Sequence, residues 1–159
     1  MTDIDTTNSD TDDFYRGVAA EFLHHYRRGP RFIAVTGNAG EEISRVADLL
    51  ATALRDAGAP VERQSVAASI DPNLVRERII APFRSQDAVL VADGAELLSA
   101  GFRGFWNFSL WVDHDPERDP DWTFVSSDLN QLGSPREAAS VMLDGTDPER
   151  PRRLWADFC

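Results

Sequence analysis

The chain has 159 residues, the size of one domain, and 42% of them are hydrophobic, enough to build a core. Its 27 acidic residues against 16 basic ones give a net charge of −11, a surface that repels nucleic acid and anionic membranes. No apolar run approaches the roughly 20 residues that span a bilayer, the opening MTDIDTTNSDTDD lacks the pattern of a secretory signal, and the single cysteine, Cys159, excludes an intramolecular disulfide.

Residues 1–11 carry almost no apolar side chains and are expected to be disordered. That leaves residues 12–159 as a single domain. Phe14, Val18, Phe22 and Tyr26 recur every fourth residue, which predicts a helix capped by Thr11 or Asp12 and stopped at Gly29-Pro30. Residues 31–36 form a continuously apolar strand of the buried parallel kind. A helix over residues 41–57 gathers Ile43, Val46, Ala47, Leu50 and Leu54 on one face and ends at Gly58. Residues 61–66 read as a second strand. Asp71-Pro72 opens a helix that closes near Pro82, with Asp71 as its cap. Residues 88–92 are a third strand, 95–105 an irregular crossover and 108–112 a fourth strand. The stretch DHDPERDP, residues 113–120, is too polar and Pro-rich for a core element and reads as a loop. A short strand or turn over 122–125, a helical turn over 134–137 and a last strand over 139–143 follow. Residues 148–157 are expected to end the chain in a turn or short helix. Alternation of strands and helices predicts an α/β domain with a mainly parallel sheet of about five strands.

The strand–turn–helix over residues 31–50 has the rhythm of a phosphate-binding loop, whose pattern is Gly-x4-Gly-Lys-Ser/Thr. Here the segment is Gly37, Asn38, Ala39, Gly40, Glu41, Glu42, Ile43, Ser44. Gly37 and Ser44 match. Glu42 stands at the second glycine and Ile43 at the lysine. Glu41 and Glu42 fall beside the positive end of the helix dipole, where each supplies about 0.3–1 kcal/mol of stabilisation to the helix. A phosphate meeting one such acid at about 4 Å loses on the order of 4 kcal/mol at an effective dielectric near 20. The chain contains no lysine to compensate.

Several further segments resemble uridine kinase-like P-loop kinases, the group that includes phosphoribulokinase relatives. These are LVRERIIAPF (residues 74–83), DAVLVADGAELLSAGFRGFWNFSLWVDHDPE (residues 87–117) and AASVMLDGTDPERPRR (residues 138–153), in the family's order and over residues 12–153. The resemblance implies a three-layer, P-loop NTPase-like fold, ATP and Mg²⁺ as cofactors, and transfer of phosphate to a nucleoside or other small molecule. It also implies a catalytic carboxylate after the second strand, where this chain has Ser65-Val66-Ala67-Ala68-Ser69 and no acid. The family's substrate insert and its Arg-rich lid have no counterpart; the lid position holds DHDPERDPDW with only Arg118. A catalytically inactive binding or regulatory protein, with no cofactor and no metal, is therefore the expected reading. In the alternative, an active or residual kinase, Ser44 and Asp93 hold Mg-ATP and Arg45 takes the lysine's role.

Other candidates are blander. His24 and His25 are adjacent on a helix and point to different faces, so they are not a zinc pair. Asp113, His114 and Asp115 have no identifiable companion ligands and read as a solvated loop. Cys159 has no triad partners, and no GxSxG is present. Phe102, Phe105, Trp106, Phe108, Trp111, Trp122, Phe124, Trp155 and Phe158 form either core or an aromatic surface for a protein partner or homodimer. The lysine-free, Asp-rich composition resembles that of cytoplasmic proteins adapted to molar salt, where a Debye length of about 3 Å weakens self-repulsion. Arg-for-Lys codon bias is the plain alternative. A cytoplasmic location is expected, with neither nucleic-acid nor membrane partners.

Overall fold

The computed structural model describes residues 2–38, 41–99, 101–113, 139–144 and 152–156. Among them the chain runs α1 (Thr2–His25), β1 (Arg31–Gly37), α2 (Glu41–Asp56), β2 (Val61–Ser65), α3 (Pro72–Val75), a π-helical turn (Arg76–Ile80) and α4 (Ala81–Phe83). β3 (Val89–Asp93), a 3-10 turn (Arg103–Phe105), β4 (Phe108–Asp113), β5 (Val141–Asp144) and β6 (Arg152–Ala156) follow. The sheet has six strands in the order β2-β3-β1-β4-β5-β6. β2, β3, β1, β4 and β5 are mutually parallel, and β6 runs antiparallel along β5. The mainly parallel α/β architecture expected from the alternation of elements is present.

Two apolar clusters sandwich the sheet. β1 is buried along its whole length, and its side chains alternate between the two. Ile33 and Val35 face α1 and α2, meeting Val18, Phe22, Leu50 and Leu54. Phe32 and Ala34 face the opposite layer, meeting Val75, Ile80 and Phe83. The strand interior is continuously apolar because both faces are covered. Each fully buried Leu, Ile or Phe contributes about 1.5–3 kcal/mol. The four-residue spacing in α1 does what the pattern required: Val18 and Phe22 are fully buried, and the Phe22 ring meets Phe108 edge-on at 5.5 Å.

Four expectations are corrected. α1 begins at Thr2, upstream of the boundary expected at Thr11 or Asp12; residues 2–16 contain neither Gly nor Pro to interrupt it. The helix opened by Asp71 is not uniform. Asp71 does cap it, accepting from the Asn73 amide at 2.9 Å, but its middle turn is π-helical, with the Ala81 amide donating to the Arg76 carbonyl. Pro82 follows directly; it offers no N–H, and its ring crowds the carbonyl four residues back, which a widened turn relieves. Residues 152–156, expected in a turn or short helix, are strand β6, because β5 would otherwise leave an open sheet edge. Asp113, expected in a solvated loop, is the last residue of β4 and fully buried. The elements expected over 114–120, 122–125 and 134–137 lie outside the described residues.

Candidate functional site

The chain leaves β1 for the edge strand β2, returns to β3 beside β1, then crosses to β4 on the other flank of β1. The sheet order therefore reverses at β1, and in open parallel sheets the crevice outside the carboxyl ends of such strands is where ligands bind. β1 ends there in Gly37, β3 in Asp93, β4 in Asp113 and β5 in Asp144.

Gly37 is fixed by geometry. Its φ is +150°, and a Cβ there would sit 2.0 Å from the Val112 carbonyl oxygen. No other residue fits unless β4 moves. Asn38 then ties the turn to β4 twice: its amide donates to the Val112 carbonyl at 3.2 Å, and its Nδ2 donates to Asp113 Oδ1 at 2.8 Å. The Thr36 hydroxyl, one residue before Gly37, is fully buried and has no hydrogen-bond partner among the described residues. Ala39 and Gly40 lie outside the described residues.

The first turns of α2 send different side chains in different directions. Ile43 is 5% exposed and belongs to the cluster that joins α1, α2 and the sheet. Ser44 is half-buried and Arg45 exposed. Glu42 keeps one carboxylate oxygen buried without a partner among the described residues. Tyr15 of α1 packs beside this turn. Burial pushes its hydroxyl well above the ordinary tyrosine range, Arg45 pulls it down, and Glu42 adds a smaller upward push.

Asp93 is 8% exposed at the end of β3. Its Oδ1 accepts from Arg63 Nη1 at 2.8 Å and from Ser65 Oγ at 2.8 Å. Arg63 also donates from Nε to Asp48 of α2 at 2.9 Å and from Nη1 to the Val91 carbonyl at 3.1 Å. Ser65 and Asp93 are register partners across the β2–β3 ladder. The structure thus gathers Asp93 with two β2 residues, not with Ser44. A Mg²⁺ ion requires several free oxygen donors in near-octahedral array. Asp93 does not fit one, because Oδ1 already serves a guanidinium and a hydroxyl. Among the described residues no group of three His, Cys, Asp or Glu is placed to hold a metal.

Arg63 and Ser65 are not among the residues that the sequence singles out as a site. Their signal is alternation: Val61, Arg63 and Ser65 share one face of a strand next to a buried strand ending in Asp. The remaining candidates are structural. His24 and His25 are exposed at the end of α1, with ring centroids 5.3 Å apart. Phe102, Phe105 and Phe108 are core; Trp106 packs against the cluster that holds Phe102 and Phe105 and donates from Nε1 to the Leu97 carbonyl at 2.7 Å. Trp111 is half-buried. His114, Asp115, Arg118, Trp122, Phe124, Phe158 and Cys159 lie outside the described residues. No described helix is long and apolar enough to cross a membrane.

No protein-family model and no curated protein matches the chain. It is similar in structure to a protein described as a possible uridine kinase from Bacillus stearothermophilus. The TM-score is 0.59 at 14% identity, over 84% of this chain and 97% of that one. A protein described as a fructose transport system kinase from Silicibacter sp. TM1040 aligns at a TM-score of 0.46 and 18% identity, over 78% of this chain and 85% of that one. The strand order and the first of these likenesses agree: the chain has the three-layer α/β fold of the P-loop kinases.

Proposed function

We propose that this chain is a non-catalytic relative of the uridine kinase-like P-loop kinases, a binding or regulatory protein with a degenerate phosphate loop. Ile43 carries the reading. The position of the phosphate-gripping lysine is a core side chain, 5% exposed against α1 and the sheet. An ammonium there would have to leave the core to reach a phosphate. Glu42 beside it adds negative charge where a triphosphate would arrive. With Phe102, Phe105 and Phe108 buried, a protein partner or second copy would meet the acidic surface more than an aromatic one.

A residual ATP-dependent kinase is the competing reading. It starts from Asp93, a carboxylate at the end of a buried strand beside β1, and requires that Asp93 leave Arg63 and Ser65 to meet Ser44 and Mg²⁺, with Arg45 in the lysine's role.

One pair of measurements decides between them. The purified protein is melted with and without Mg-ATP and Mg-GTP in 1 M KCl, and phosphate transfer from ATP to nucleosides is assayed alongside. Ligands that bind only the native state raise the melting temperature, by an equivalent of about 2.7 kcal/mol at a hundredfold excess over Kd. No shift and no transfer is the expected result. Transfer that Asp93→Ala abolishes would establish the kinase instead.

A further inference from the structure

On the α2 face of the sheet, four side chains converge where β2 and β3 end. Arg63 bridges Asp93 at 2.8 Å and Asp48 at 2.9 Å. Its side chain is 17% exposed and that of Asp93 11%, whereas Asp48 is 68% exposed at the rim. The inner pair is therefore shielded and the outer one solvated. Ser65 completes the inner pair by donating to the same Asp93 oxygen.

We propose that Arg63 is a built-in counter-ion that occupies the place of a divalent cation at Asp93. The comparison with a metal-holding carboxylate rests on the kinase-like reading above; the geometry does not. A carboxylate this buried requires a compensating positive charge. A metal ion supplies it in a phosphate-transfer crevice, and the β2 guanidinium supplies it here. The two cannot share one oxygen, since their charges repel at contact distance in a shielded site. The Val91 carbonyl and Asp48 hold the fork in place, which makes Arg63 a positioned part of the sheet edge and not a swinging surface charge.

Mn²⁺ uptake tests the assignment, read from the paramagnetic resonance of the free aquo ion. Salt at 1 M, with a Debye length of about 3 Å, suppresses binding to the scattered surface acids. Wild type and Asp93→Asn are expected to take up Mn²⁺ equally weakly. Arg63→Gln keeps an amide donor for Asp93 and removes the charge, and it is expected to bind Mn²⁺ at least about tenfold more tightly than wild type. Asp93→Asn in the Arg63→Gln background is expected to abolish the gain. Wild type binding Mn²⁺ more tightly than Asp93→Asn would overturn the proposal, as would folded Arg63→Gln binding no better than wild type. Should Arg63→Gln be unfolded in metal-free buffer, Mn²⁺ is expected to restore its circular dichroism, and failure to do so also overturns it. Phosphate transfer enters none of these readouts. A protein that transferred phosphate while Arg63 behaved as stated would therefore sink the non-catalytic reading alone.

Discussion

The turn after β1 and the helix that follows it meet in the same motif, yet they are constrained by opposite things. At Gly37 and Asn38 the constraint is backbone. The chain passes so close to β4 that a Cβ would strike the Val112 carbonyl at 2.0 Å, and Asn38 fastens the turn to Asp113. At Glu42 and Ile43 the constraint is side-chain packing, with Ile43 spent on the core that joins α1 to the sheet. The first region is limited by its backbone and the second by its side-chain packing, so the two respond to different kinds of substitution.

Three substitutions probe that contrast, beginning with the largest effect. Gly37→Ala is expected to cost more than about 4 kcal/mol, because both the positive φ and the Val112 carbonyl oppose a Cβ. Urea unfolding measures it; a loss under about 1 kcal/mol would show that β4 yields and that the turn is not backbone-limited. Ile43→Lys restores the lysine of the pattern. It is expected to cost about 2–4 kcal/mol through lost packing and partial burial of a charge, with no gain in Mg-ATP affinity by calorimetry. Micromolar ATP binding by this variant would mean that the second region differs from an active loop by that one side chain. Asn38→Ala removes one hydrogen bond to a buried carboxylate and is expected to cost about 1 kcal/mol. An unchanged midpoint would say that Val112 alone holds the turn.

The element order could be read from residues because each signal is local. Four-residue spacing gives α1, and continuous apolar runs give β1 and β3. Less of the site was legible. Asp93 stood out as a strand-ending acid, but its partners sit 28 and 30 residues upstream on β2. Asp113 was hidden by its downstream neighbours, whose polarity made the whole stretch read as loop. β6 was missed because RRLWA carries no clear alternation.

The sequence by itself determined the alternation of strands and helices, the acidic lysine-free composition, and the apolar face that carries Ile43, Val46, Ala47, Leu50 and Leu54. Those are properties of composition and of short periodic patterns, which act over a few residues. Tertiary structure alone decided that Arg63 neutralises Asp93 and that Asp113 is buried beneath Asn38. Each depends on which strands become neighbours, and that is set by how the whole chain buries both faces of its sheet.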